Sequence, residues 1–195
     1  MNHIDGFTYN LHNPYDMDLQ FERIQSGSHR HLQDLLGLYL ESFPNEERRT
    51  TSDLLRMLNV QEMYFTAVMV GEVVVGFVVY WKFSQFRYIE HLAIYPEYRR
   101  KGFGAAVLQH LQREGKPLLL EVEIPQDVLS TQRVDFYSRA GFNALPVYYH
   151  QPPYRKGESL VPMLLFSDRT DWDAELLKVS TEQFQERVYY RYSRS

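Results

Sequence analysis

The chain has 195 residues, 21 Lys+Arg against 25 Asp+Glu, a formal net charge of −4 and no cysteine. That length suits one domain with a substantial core, and 44% hydrophobic with 24% charged residues excludes wholesale disorder and fibrous classes. Without cysteine there is no disulfide, Cys-ligated zinc, iron–sulfur cluster or cysteine nucleophile, and the mildly acidic balance argues against nucleic acid as a partner.

Met1–Asp18 has no basic segment followed by an apolar run, so no secretory signal is expected. The apolar stretches Met63–Val70 and Val73–Trp81 fall far short of the roughly 20 residues of a spanning helix, which makes the cytoplasm the expected compartment and excludes a membrane partner. Asp18–Ile24 reads as a modest strand. Ser28 then precedes a helical stripe, Leu32, Leu35, Leu36, Tyr39, Leu40 and Phe43, which Pro44 stops. A polar loop, Asn45–Thr50, leads to a short helix over Ser52–Leu58. Met63–Val70 and Val73–Trp81 pair as a hairpin through Gly71-Glu72, and Phe86–Ile94 is a third strand.

Ala105–Glu114 reads as a helix closed by Gly115, and Leu118–Ile124 as a strand carrying Glu121 and Glu123. Ser130 or Thr131 is expected to cap a helix ending at Ala140, with Gly141 behind it. Strands are expected near Ala144–His150 and Leu160–Phe166. The tail Asp171–Tyr190 is amphipathic, with Ser180-x-x-Gln183 as a capping box inside it. Hairpins followed by βαβα and two strands give an α+β chain with a mixed, mainly antiparallel sheet flanked by helices. Residues 1–166 form one domain in this reading, and 167–195 an extension that packs on it or makes a homodimer contact.

The chemistry concentrates in Glu90-His91-Leu92-Ala93-Ile94-Tyr95-Pro96-Glu97-Tyr98-Arg99-Arg100-Lys101-Gly102-Phe103-Gly104-Ala105. A strand ends, three basic residues follow, and two glycines open a helix. Free amides at a helix start make an anion site, and Gly102 and Gly104 let a diphosphate approach the backbone. A Walker loop would need Gly-Lys-Ser/Thr, but Ala105-Ala106 follows Gly104; a dinucleotide fingerprint would need Gly at 107, which is Val. The histidines, His29 and His31 included, lack carboxylates at ligand spacing, so no metal is expected.

Arg99-x-x-Gly102-x-Gly104 after a strand ending Leu92-Ala93-Ile94 resembles the acyl-CoA pyrophosphate loop of the GNAT superfamily of N-acetyltransferases. The second family signature, aromatic-Tyr-x-x-x-Gly-Phe, is matched by Phe136-Tyr137-Ser138-Arg139-Ala140-Gly141-Phe142 about 35 residues further on. The resemblance spans residues 60–166 and implies a GNAT-like fold and acetyl transfer from acetyl-CoA to a small-molecule or peptide amine by direct transfer in a ternary complex. It implies that the strand bearing Leu92, Ala93 and Ile94 splays from its neighbour and offers its backbone to pantetheine. Amides of Gly102, Phe103, Gly104 and Ala105 would face the pyrophosphate, with charge from Arg99, Arg100 and Lys101.

The resemblance implies Tyr137 as the acid that protonates the leaving thiolate. Glu90 is the expected base, placed by period two on the same side as Tyr88 and Leu92, and Glu121 and Glu123 are the competing carboxylates. Ser130 and Arg133 stand where the family often has Asn and Ala; Ser130 would still reach the pantetheine with a hydrogen bond. These departures motivate the alternative of a CoA-binding regulator or sensor with little turnover.

Overall fold

In the computed structural model the described residues are 17–191 together with the strands Asn2–Ile4 (β1) and Phe7–Tyr9 (β2), an antiparallel pair. The remaining positions of the expected 1–166 and 167–195 segments, including much of the stretch read for a signal, lie outside the described residues. β4 (Met63–Val70) and β5 (Val73–Lys82) are near-continuous apolar runs, as strands covered on both faces must be. With β3 (Leu19–Ile24) and β6 (Arg87–Ile94) they form an antiparallel meander. β7 (Leu118–Glu123) joins β6 in parallel, and β10 (Val161–Ser167) then pairs antiparallel with β7, β8 (Asn143–Ala144) and β9 (Tyr149–Gln151). The sheet is therefore mixed and mainly antiparallel, in the order β3-β4-β5-β6-β7-β10-β8.

Helices cover both faces. On one, α1 (Leu32–Ser42), α2 (Thr51–Met57) and α5 (Ala174–Gln185) pack Leu35, Tyr39, Met57 and Phe184 against Phe65, Phe77, Trp81 and Tyr88. On the other, α3 (Phe103–Arg113) buries Phe103, Val107 and Leu111 against Val78, Ile89 and Leu120, and α4 (Val128–Arg139) adds Phe136 and Tyr137. The tail is part of the first face: the Tyr88 and Phe184 rings stack with centroids 4.4 Å apart. No helix among the described residues is long and apolar enough to cross a membrane.

Several element starts differ from the sequence reading, and capping chemistry explains them. α3 begins at Phe103, because Gly102 takes φ +85° and turns the chain directly into the helix. α4 begins at Val128 with Asp127, not Ser130, as its cap. The cap of α5 is Asp173, whose carboxylate accepts from the Glu175 and Leu176 amides, while Ser180 is buried mid-helix. The strand expected over Ala144–His150 is broken into β8 and β9, with Pro146 between them.

Candidate active site

β6 and β7 pair only from Arg87 to Ile89 against Leu118 to Leu120. Beyond Ile89 the two strands part, while the other edge of β6 stays paired to β5 as far as Ile94. The expected splay is thus present. The gap opens into a cleft of about 910 Å³ lined by β6, β7, the start of α3 and one face of α4, a volume that suits a cofactor-sized ligand. Glu90, Leu92, Ala93, Ile94, Arg99, Arg100, Gly102, Phe103, Gly104, Ala105 and Tyr137 all line it.

At the α3 end no side chain caps the helix, and the first helical bond is Ala106 N–H to the Gly102 carbonyl, 3.0 Å. The helix start, Phe103–Ala105, lines the cleft with Arg99 and Arg100 on the same wall, so the positive end of α3 is turned to it. Gly104 has a second reason to be glycine: a Cβ there would lie 3.1 Å from the Phe136 ring, which would have to give by a few tenths of an ångström. Arg99 Nε donates to the Ile94 carbonyl, 2.9 Å, bracing the turn between β6 and α3. Lys101 is off the cleft, its Nζ 5.5 Å from the Tyr98 ring centre.

Ser130 corrects the sequence expectation. Its side chain is buried and its hydroxyl belongs to the α4 capping box, donating to Asp127 Oδ1 (2.8 Å) and accepting from the Gln126 and Asp127 amides (2.9 Å each). It does not line the cleft. An N3 serine facing an N-cap aspartate is a local arrangement that outcompetes any reach toward a ligand.

Tyr137 stands half-buried on α4 between Phe136 and Phe142, with ring centres 5.0 and 6.1 Å away. Burial pushes its phenol up to about 12, opposed by the Arg133 charge, so at neutral pH it holds its proton.

A β-bulge sets the carboxylates. Val79 pairs with His91 and Tyr80 with Ile89, leaving Glu90 unpaired in register. Past it the alternation flips: Tyr88 and Ala93 face the α1 side, whereas Ile89, Leu92 and Ile94 face α3. The period-two expectation that Tyr88 and Leu92 share a face is thereby overturned. Glu90 Oε1 accepts from Arg49 Nε (3.1 Å) and Oε2 from Trp81 Nε1 (2.6 Å), and both charged side chains are almost wholly buried. Arg49 also donates its backbone N–H to Tyr39 Oη, 2.9 Å. His91, fully enclosed beside them, is driven down to about 4 by burial and is neutral.

Glu121 is held differently. Tyr149 Oη and Gln151 Nε2 donate to its carboxylate, and Tyr189 Oη donates to Oε2 at 2.6 Å. Tyr88 hydrogen-bonds it as well, and all of these donors are neutral. Burial raises its carboxyl above the ordinary range, and the hydroxyl and amide donors oppose that rise. Glu123 pairs with Arg133 at 2.8 Å, and Glu47, on the 3-10 turn Asn45–Glu47, is also raised by burial, next by the Glu123 charge. Arg49 and Trp81, the groups that occupy Glu90, carried no local signal. The Arg133 contact was legible only as one helical turn before Tyr137.

A splayed parallel pair, an uncapped glycine-led helix start and an aromatic-Tyr helix facing it form the arrangement of acyl-CoA N-acyltransferases. The family model "Acetyltransferase (GNAT) family" matches residues 32–142. The chain belongs to the GNAT acetyltransferase family. A GNAT-family acetyltransferase structure from Bacteroides thetaiotaomicron is 32% identical, with a TM-score of 0.80, covering 87% of this chain and 98% of that one. A Bacillus subtilis protein bearing the name of an acetyltransferase, YjbC, is 27% identical over 108 residues, 53% of this chain; the match spans 56% of that relative's length. The ribosomal-protein-S18-alanine N-acetyltransferase of Escherichia coli is 15% identical over 76% of this chain and 92% of its own, with a TM-score of 0.52, a likeness of fold alone. Family membership supports acyl transfer as the general chemistry of this GNAT cleft.

Proposed function

We propose that this GNAT protein moves an acetyl group from acetyl-CoA to a primary amine by direct transfer in a ternary complex. One observation carries the reading. One cleft joins a strand edge that leaves its neighbour, a glycine-led helix start, a protonated phenol, Tyr137, and a carboxylate held by neutral donors, Glu121.

The donor side fits acetyl-CoA. Main-chain groups of Leu92, Ala93 and Ile94 would hold the pantetheine arm, and the Gly102–Ala105 amides with Arg99 and Arg100 the pyrophosphate. Acetyl-CoA supplies the activated acyl thioester. Tyr137 holds a proton beside the cleft, in place for a departing thiolate. With no cysteine to carry the acyl group, catalysis rests on positioning and on these proton transfers.

The base assignment moves from Glu90 to Glu121. To take a proton, Glu90 would have to give up a buried ion pair with Arg49 and an indole hydrogen bond. Glu121 gives up only neutral contacts, and its raised carboxyl is the better match for an ammonium's proton, taken directly or through water.

Thermal shift with acetyl-CoA and thiol release over a panel of small-molecule and peptide amines tests this. Stabilisation by acetyl-CoA of about 2.7 kcal/mol at 100 times its dissociation constant, with amine-dependent thiol release, supports it. Stabilisation without release from any amine would favour a CoA-binding sensor instead.

A further inference from the structure

After α5 the chain widens into a single π-turn, Glu186–Tyr190, closed by the Arg191 N–H to Glu186 carbonyl bond at 2.8 Å. Such turns widen a helix and redirect consecutive residues. Here one residue reaches the cation paired with Glu90 and its neighbour reaches the Glu121 carboxylate. The Val188 carbonyl accepts from Arg49 Nη2, whose Nε holds Glu90 at 3.1 Å. The Tyr189 hydroxyl lies 2.6 Å from Glu121 Oε2, 2.8 Å from Tyr88 Oη and 3.1 Å from Gln151 Nε2. A phenol has one proton to give. With that proton on Glu121, Tyr189 accepts from both Tyr88 and Gln151, and the chain of donors is complete.

We propose that the C-terminal π-turn is a working part of the acceptor side, with Tyr189 as the positioning residue that fixes the Glu121 carboxylate toward the cleft. This rests on the acetyltransferase reading for the word acceptor, but the contact itself does not. Tyr189 is wholly buried, its ring centre 4.9 Å from that of Tyr154, so it needed no hydroxyl to fill its place. A Phe would pack as well, and the hydroxyl is what reaches the carboxylate.

The groups that act on Glu121 are Tyr88 from β6, Tyr149 and Gln151 from β9, and Tyr189, and its charge is also felt at Tyr154 and at Glu47. Donation to an ionised carboxylate favours the charged form. Removing one donor therefore raises the pH at which Glu121 ionises, and a base that must be ionised to work becomes active only at higher pH.

The test is the carbon-13 titration of the Glu121 carboxyl in the full-length chain, identified by its loss in Glu121→Gln, in wild type and in Tyr189→Phe. The expected result is an upward shift of about one pH unit in Tyr189→Phe, a charged-acceptor hydrogen bond of ~1.5 kcal/mol expressed in pKa. The acidic limb of kcat/KM should move by the same amount, with the KM for acetyl-CoA unchanged. A merely structural role would lower the melting temperature and leave the limb in place. Should Tyr189→Phe not fold, Tyr88→Phe, which removes the hydroxyl that lies 2.8 Å from Tyr189 Oη and also hydrogen-bonds Glu121, is expected to shift the titration in the same direction by less.

An unchanged Glu121 titration in the folded variant overturns the proposal while the acetyltransferase reading stands. Conversely, a shifted titration in a protein that releases no thiol with any amine keeps the Tyr189 contact and defeats that reading.

Discussion

In the proposed function the donor side of the cleft would be main chain from one contiguous stretch, Glu90–Ala105, whereas the acceptor side would be side chains gathered from segments as far apart as Tyr39 and Tyr189. On the first side, function is carried by amides and carbonyls that any residue possesses. Sequence enters there only through what lets the backbone turn: Gly102 in the left-handed region and Gly104 against Phe136. On the second side, function depends on which hydroxyl meets which carboxylate. A main-chain site tolerates drift in its side chains and keeps a local signature. A network such as Glu121, Tyr149, Gln151 and Tyr189 has none.

That contrast can be broken at either side. The largest effect is expected on stability. Arg49→Met leaves the Glu90 carboxylate enclosed without its cation, and denaturant unfolding should report a loss of about 3–5 kcal/mol. A loss below about 1 kcal/mol, the range of exposed pairs, would mean that the pair is solvated and that Glu90 is open to proton transfer after all. Next comes the phenol: Tyr137→Phe should lower turnover by about 10²-fold while the dissociation constant for acetyl-CoA stays put. A loss confined to binding would make Tyr137 a wall of the cleft rather than its acid. The smallest belongs to the main chain. Gly102→Ala forces a Cβ into the left-handed region at a cost of about 1–2 kcal/mol, and relaxation of the turn should weaken acetyl-CoA binding about tenfold. Calorimetry reads this directly, and the acidic limb of the rate profile, set on the other side, should not move.

The same division explains how much was legible beforehand. Strand periodicity, the Gly71-Glu72 hairpin and the Arg99-x-x-Gly102-x-Gly104 loop are local, and the meander and the parting of β6 from β7 were legible from them. Ser130 misled because a capping box with Asp127 is also a local motif, and it claimed the hydroxyl first. Tyr88 and Leu92 were placed on one face because a bulge at Glu90, one extra residue in register, is invisible to period-two counting. Among 15 tyrosines only Tyr137 stood in a motif. Tyr88, Tyr149 and Tyr189 turn out to share one buried network, because desolvating Glu121 demands donors and a tyrosine brings one with an apolar body.

Single-turnover thiol release by Glu121→Gln, measured beside its acetyl-CoA affinity, addresses the assignment most directly. If Glu121 takes the acceptor's proton, the variant binds acetyl-CoA with an affinity within about twofold of wild type and releases thiol about 10³-fold more slowly in the presence of amine. Release at the wild-type rate would contradict the account and return the proton to another group of the cleft.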